Sequence, residues 1–155
     1  MHGIKQQVSD LKEKKYSWNY INKACANLAE QVADREYDMY IALSRGGLVP
    51  ASILANLNNI GQVQSIGVKS YDSRNQGELY IYQHPIRFEG KRILVIDDLS
   101  DNGRTLNHIH RYLLNNGAGH VTSACIFAKR ETNHIPMFVY KYIPKDQWVV
   151  FPWEV

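Results

Sequence analysis

Apolar positions recur with two periods along the chain, and the alternation between them outlines the fold. Ile21, Ala24, Cys25, Leu28 and Val32 fall three and four residues apart after Ser17, so the spacing predicts a capped amphipathic helix reaching about residue 34. Residues 39–43 are short and continuously apolar, as a buried strand is. They run into Ser44-Arg45-Gly46-Gly47 before helical spacing resumes through Ile53, Leu54 and Leu57. Residues 63–69 read as a further strand. Residues 70–90 are polar and poorly periodic, with Gly77 and Pro85 among them, and form an excursion whose residues 78–83 suit one arm of a hairpin. Ile93-Leu94-Val95-Ile96 is an unambiguous buried strand. Acids and Gly103 follow it, then a helix with core face Leu106, Ile109 and Leu113 that Asn116-Gly117 closes. Residues 121–127 and 138–142 complete the strands, and residues 148–153 form an aromatic, apolar tail. Strands alternating with helices predict an α/β fold, a mostly parallel central sheet flanked by helices, with ligands beyond the carboxyl ends of its strands.

At 155 residues, 45% hydrophobic and 21% charged, with no repeat or linker, the chain reads as a single domain over residues 1–155. Its two cysteines, Cys25 and Cys125, match neither a zinc module nor a redox pair, and are expected to be buried thiols in a reducing compartment. No apolar run is long enough for a membrane span, and Met1 to Lys5 lack the apolar stretch of a signal peptide, so a cytoplasmic location without integral membrane contact is expected. A formal charge of +3 is too slight to indicate nucleic-acid binding but suits a small anionic ligand. Lys12, Lys14 and Lys15, interrupted by Glu13, read as a solvated segment. His108 and His110 lie two apart on a helix, face different ways, and give no reason to expect zinc.

The stretch from Ile93 to Leu106 carries the chemistry. Asp97, Asp98 and Asp101 place three carboxylates at a strand-to-helix junction, where they repel unless a cation or ligand hydroxyls neutralise them. Beside them Asn102, Gly103 and Thr105 offer amides and a hydroxyl at a helix start, where phosphate is favoured. Acids next to an anion cradle suit a phosphorylated ribose held with Mg²⁺. The spacing Asp97-Asp98-x-x-Asp101 also matches prenyl-transferring enzymes, but there the motif lies on a helix, whereas here it follows strand residues. No P-loop string occurs. A plain surface turn with scattered acids is the remaining alternative.

Val95-Ile96-Asp97-Asp98-Leu99-Ser100-Asp101-Asn102-Gly103-Arg104-Thr105 resembles the phosphoribosyl-pyrophosphate (PRPP) signature of type I phosphoribosyltransferases. Leu43-Ser44-Arg45-Gly46-Gly47-Leu48-Val49-Pro50 is similar to that family's pyrophosphate loop, and Ser70-Tyr71-Asp72 opens the excursion where the family has a mobile loop. Ile126-Phe127-Ala128-Lys129, Asp146-Gln147-Trp148 and Pro152-Trp153-Glu154 look like base-binding segments of the family's xanthine-guanine branch and its archaeal purine relatives.

The resemblance implies transfer of ribose 5-phosphate from PRPP to a purine in a salvage reaction needing Mg²⁺, on a fold with a small hood and a mobile loop at residues 70–90. Ser44, Arg45 and Gly46 would receive the pyrophosphate. Asp97 and Asp98 would hold the ribose hydroxyls, Asp98 being the metal contact. Asp101 would be the general base, a role compatible with capping the next helix. Asn102, Gly103, Arg104 and Thr105 would cradle the 5-phosphate. Asn102 replaces the usual Thr, its amide still able to donate, and Arg104 stands where relatives often have Gly, leaving open whether it adds affinity or faces solvent. Lys129 would donate to a 6-oxo group, favouring guanine, xanthine or hypoxanthine over adenine. Trp148 would stack on the base, backbone near Val149 and Glu154 would read its 2-position, and Trp153 would pack. Partners are then PRPP and a purine, with a homodimer or homotetramer expected and no nucleic acid. A PRPP-binding regulator of the same fold, or transfer to another base, are the alternatives.

Overall fold

The computed structural model describes residues 11–71, 77–130 and 136–154. Its elements are β1 (Lys12–Lys15), α1 (Trp18–Val32), β2 (Met39–Ser44), α2 (Leu48–Leu57), β3 (Val63–Ser70), β4 (Leu79–Gln83), β5 (Arg92–Ser100), α3 (Arg104–Asn115), β6 (His120–Lys129), β7 (Phe138–Ile143) and β8 (Gln147–Val150). Six strands form one sheet in the order β4-β3-β2-β5-β6-β7, all neighbours parallel except the β3–β4 pair. The predicted α/β architecture is therefore the observed one. The hairpin arm of the excursion is β4, while residues 72–76 lie outside the described residues.

Helices cover both faces of the sheet. Ile21, Leu28, Ala51 and Leu54 of α1 and α2 pack with Tyr40, Leu94 and Ile96 on one side, whereas Leu106, Ile109 and Leu113 of α3 pack with Ile41, Ile93 and Val95 on the other. Successive strand residues point to opposite faces, so β5 must be apolar throughout to serve both layers. Cys25 belongs to the first layer and Cys125 to the second; both are free and buried, as expected, and burial pushes Cys25 up to about 12. Leu57, the last residue of the helical spacing, lies exposed at the end of α2.

Three helix ends follow local chemistry. Ser17 Oγ accepts from Tyr20 N at 3.1 Å, capping α1 as its position predicts. Gly117 adopts φ +101° after α3, a left-handed turn that favours glycine. The N-cap of α3 is Gly103, which makes no side-chain cap, so Asp101 does not cap this helix; just before it, Asn102 Oδ1 accepts from Arg104 N at 2.9 Å in a local turn.

Two segments differ from the sequence reading. Lys12–Lys15 is not merely a solvated run: it is a strand, parallel to β8, with Glu13 opposite Trp148. Its side chains are exposed, as their charge requires, but its backbone pairs with the tail and builds a small hood. β5 also continues through the acids to Ser100, because β6 goes on pairing with it, Asp97 opposite Cys125 and Leu99 opposite Phe127.

The order of strands locates the site. From β2 the chain crosses through α2 to β3, and from neighbouring β5 it crosses through α3 to β6, in the opposite direction. Loops leaving adjacent carboxyl ends in opposite directions open a crevice between them. Gly47 lets the loop leaving β2 pass close to the end of the apolar run of β5, since a Cβ on it would overlap the Ile96 carbonyl oxygen and lie 2.8 Å from that of Leu43. Gly47→Ala is expected to lower stability by about 1–3 kcal/mol in urea denaturation, whereas Gly61→Ala, with open space around it, should be neutral. Equal stability of the two variants would contradict the close approach.

Candidate active site

Two cavities meet the crevice, and β5 supplies an acid to each. A cleft of about 760 Å³ is lined by Arg45, Gly46, Asp98, Trp153 and Glu154. A smaller cavity of about 140 Å³ is lined by Asp97, Ser100, Asp101, Asn102, Gly103 and Thr105 together with Leu43, Leu99 and Leu106. Asp97 and Asp98, on opposite faces of β5, thus serve different cavities.

The small cavity has the makings of a phosphate cradle. Gly103 enters α3 with φ +80°, a left-handed conformation that glycine adopts freely. Amides in the first turn of a helix have no partner earlier in that helix, and the helix dipole is positive there. Asn102 is committed through Oδ1 to Arg104 N, which leaves its Nδ2 as the donor for a ligand. Arg104 itself does not line this cavity; its guanidinium donates to the Gly77 carbonyl, tying α3 to the start of the β4 arm.

In the large cleft, Gly46 brings the backbone against the Asp98 carboxylate, and a Cβ there would lie 2.5 Å from Asp98 Cγ. Ser44 ends β2, and the Ser44–Arg45 peptide is cis. Across the cleft, Glu154 Oε2 accepts from Phe151 N at 3.2 Å and Trp153 stacks on Phe151 at 4.6 Å. Trp153, expected only to pack, is therefore also part of the cleft wall, and the Glu154 side chain is a site residue that sequence reasoning overlooked. The available signal was an aromatic–acid pair directly after the last strand.

Lys129 ends β6, an interior strand, and is only 6% exposed. Its Nζ donates to the Lys145 carbonyl at 2.8 Å and to the Gln147 carbonyl, so the buried ammonium is partly satisfied by the loop leading to Trp148. Among the described residues these two carbonyls are its hydrogen-bond acceptors, and an ammonium has three donors. Trp148 is 52% exposed, while Val149 beside it is buried. None of Lys129, Trp148 and Val149 lines the two cavities; the Gln147 carbonyl joins Lys129 to the hood strand instead.

Burial raises the Asp97 carboxyl well above its ordinary range, and the adjacent Asp98 charge raises it further. Burial also raises Asp98, against hydrogen bonds from its neighbours that lower it, and the Glu154 charge adds to the rise. The Asp98 amide donates to Asp97 Oδ1 at 2.8 Å, fixing the pair. Without a ligand these acids hold a proton more firmly folded than unfolded. Their contribution is most favourable below about pH 4 and is lost as pH rises through the elevated folded values. Asp97→Asn should therefore stabilise the ligand-free protein at pH 7–8 relative to the parent, with the gain fading towards pH 4 in a denaturation series. A variant less stable than its parent at pH 8 would contradict this.

The geometry agrees with three comparisons. The sequence model of the phosphoribosyl transferase domain matches residues 7–155. The xanthine-guanine phosphoribosyltransferase of Idiomarina loihiensis is 34% identical over 142 residues, covering 90% of this chain and 85% of that protein. That of Chromohalobacter salexigens is 30% identical over 139 residues, covering 90% and 82%. Among solved structures, the purine phosphoribosyltransferase of Pyrococcus horikoshii superposes with a TM-score of 0.85 at 28% identity, covering 92% of this chain and 95% of that one. With the acids on β5, the amide-lined start of α3 and the glycine loop after β2 in place, this chain belongs to the phosphoribosyltransferase family.

Proposed function

We propose that the protein transfers ribose 5-phosphate from PRPP to a 6-oxopurine, releasing pyrophosphate and making a nucleoside monophosphate for purine salvage. The observation that carries this reading is the division of labour along β5, with Asp97 in a cavity of phosphate-cradle character and Asp98 in a cleft shared with Arg45. The 5-phosphate would take the small cavity, with Gly103 and Thr105 amides and the Asn102 Nδ2 donating. The pyrophosphate would take the cleft beside Arg45 and Gly46, where a guanidinium fork suits phosphate oxygens. The ribose hydroxyls would then lie between the cavities and donate to Asp97 and Asp98.

In the reaction the bond from the ribose carbon to pyrophosphate breaks and a bond to a purine imidazole nitrogen forms, through an oxocarbenium-like transition state. Asp101, exposed beside the small cavity, would accept the proton displaced from the purine. Lys129 would donate its remaining N–H to the 6-oxo group. Adenine would set its amino donor against that buried donor, a mismatch of the kind that discriminates strongly. Trp148 would stack on the base, and backbone at Val149 and Glu154 would read its 2-position.

The residues fit Mg²⁺. Among the described residues no three His, Cys, Asp or Glu side chains converge to hold a metal alone. Mg²⁺ commonly uses one or two carboxylates and completes its shell with water and substrate phosphates. Asp98 would hold it, and the ion would supply positive charge against the departing pyrophosphate.

Among the described residues no helix is long and apolar enough to cross a membrane. The same proposal places one catalytic domain over residues 1–155 in the cytoplasm, as a homodimer or homotetramer. Leu48 and Val63, exposed along one groove of α2 and β3, offer an apolar face for self-association. A regulator that senses PRPP alone would have no use for a base-binding Lys129.

Incubation with Mg²⁺, PRPP and a panel of guanine, xanthine, hypoxanthine, adenine, orotate and uracil should give nucleotide only with the first three. Product from adenine alone would refute the role of Lys129, and product from none would favour the regulator. Asp101→Asn should bind PRPP almost normally in calorimetry while turning over slower by about 10² or more. Undiminished turnover would remove Asp101 from the chemistry.

A further inference from the structure

We infer that Trp18, from the N-terminal helix, is a positioning residue for the acceptor side of the cleft: it holds the Trp153–Glu154 wall in place from outside the tail that carries it. The inference rests on the transferase reading above and assigns that site a further determinant.

Trp18 lies on the same stripe of α1 as the core residues Ile21, Cys25, Leu28 and Val32. Unlike them it is 48% exposed, so core formation does not explain an indole at this position. Its ring lies 5.9 Å from that of Trp153, tilted by 52°, the tilted geometry that aromatic pairs prefer. Trp153 in turn stacks at 9° on Phe151, which is buried and packs 5.9 Å from Phe127. Glu154 N donates to the Phe151 carbonyl at 3.0 Å and Phe151 N donates to Glu154 Oε2, closing residues 151–154 into a compact turn. That turn is anchored by Phe151 within the tail and by Trp18 outside it.

Trp18 is itself well fixed. Tyr16 N donates to the Val150 carbonyl at 3.0 Å, and Ser17 caps the helix one residue before the indole. Strand β1, the cap and Trp18 thus form one continuous brace from the hood to the cleft wall. Losing the indole releases Trp153 on one side and lets Glu154 drift relative to Asp98 and Arg45, which line the same cleft. Glu154, whose backbone would read the 2-position of the base, is carried by this turn, whereas Arg45, Gly46 and Asp98, which would hold pyrophosphate and ribose, come from the loop after β2 and from β5, and the small phosphate cavity includes none of the turn's residues, so the effect should fall on the purine more than on PRPP.

The test is steady-state kinetics on Trp18→Ala, Trp18→Leu and Trp18→Phe with guanine or hypoxanthine, together with far-ultraviolet circular dichroism. Trp18→Ala and Trp18→Leu should raise KM for the base about fivefold while leaving KM for PRPP within about twofold. Trp18→Phe should recover most of the base KM, since it keeps a ring face. All three variants should lose the exciton couplet of the paired indoles. Leu restores apolar bulk without a ring, so a merely structural role predicts recovery by Leu as well as Phe. Recovery by Leu, or a base KM unchanged in all three variants of an active enzyme, would overturn the positioning role and leave the transferase reading standing. A wild-type protein that makes no nucleotide would overturn both.

Discussion

Two neighbouring carboxylates held at the carboxyl end of an interior strand are the constraint around which this structure is arranged. Asp97 and Asp98 are half-buried, and their withdrawal from water disfavours the charged forms and pushes both carboxyls upward. The rest of the fold compensates by apolar packing. Ile93 to Ile96 are fully buried between two helical layers, so β5 cannot slip by one residue without turning its acids into the wrong layers. Register is what assigns Asp97 to the phosphate-sized cavity and Asp98 to the cleft. A ligand that brings cationic charge or hydroxyl donors relieves the electrostatic penalty, and binding energy at such a site includes that relief.

Glycine completes the arrangement where backbone must come close. Gly47 permits the loop after β2 to pass against the Ile96 carbonyl of β5, and Gly46 lets that loop lie against Asp98. Any side chain at either position would occupy space that the opposing strand or carboxylate already fills. The acids and the glycine loop are far apart in sequence but form one unit in space, because parallel strands put all their outgoing loops at the same end.

Much of this was legible from residue order. The apolar period of α1, the continuous apolar run of β5 and the turn at Asn116-Gly117 follow from local physics and appear where the spacing predicts. The parts that were not legible depend on partners distant in sequence. Lys12–Lys15 has the composition of a solvated run and becomes a strand only because the tail offers a backbone to pair with. Asp97 and Asp98 extend β5, against their low strand propensity, because β6 continues alongside. Arg104 reaches the Gly77 carbonyl, and Lys129 the carbonyls of Lys145 and Gln147, contacts that no local pattern announces. Trp153 reads as core from its hydrophobicity, yet the turn that follows β8 brings it to the cleft as well.

The hood, the cleft wall and the acids are thus joined by contacts that cross the whole chain, and the central claim is that they converge on an activated ribose phosphate. Isothermal titration of PRPP into the wild-type protein, in Mg²⁺ and again in EDTA, tests it most directly. Saturable binding in Mg²⁺ that weakens sharply on chelation is the expected result. Absence of heat in both, or the same affinity with and without the metal, would contradict it.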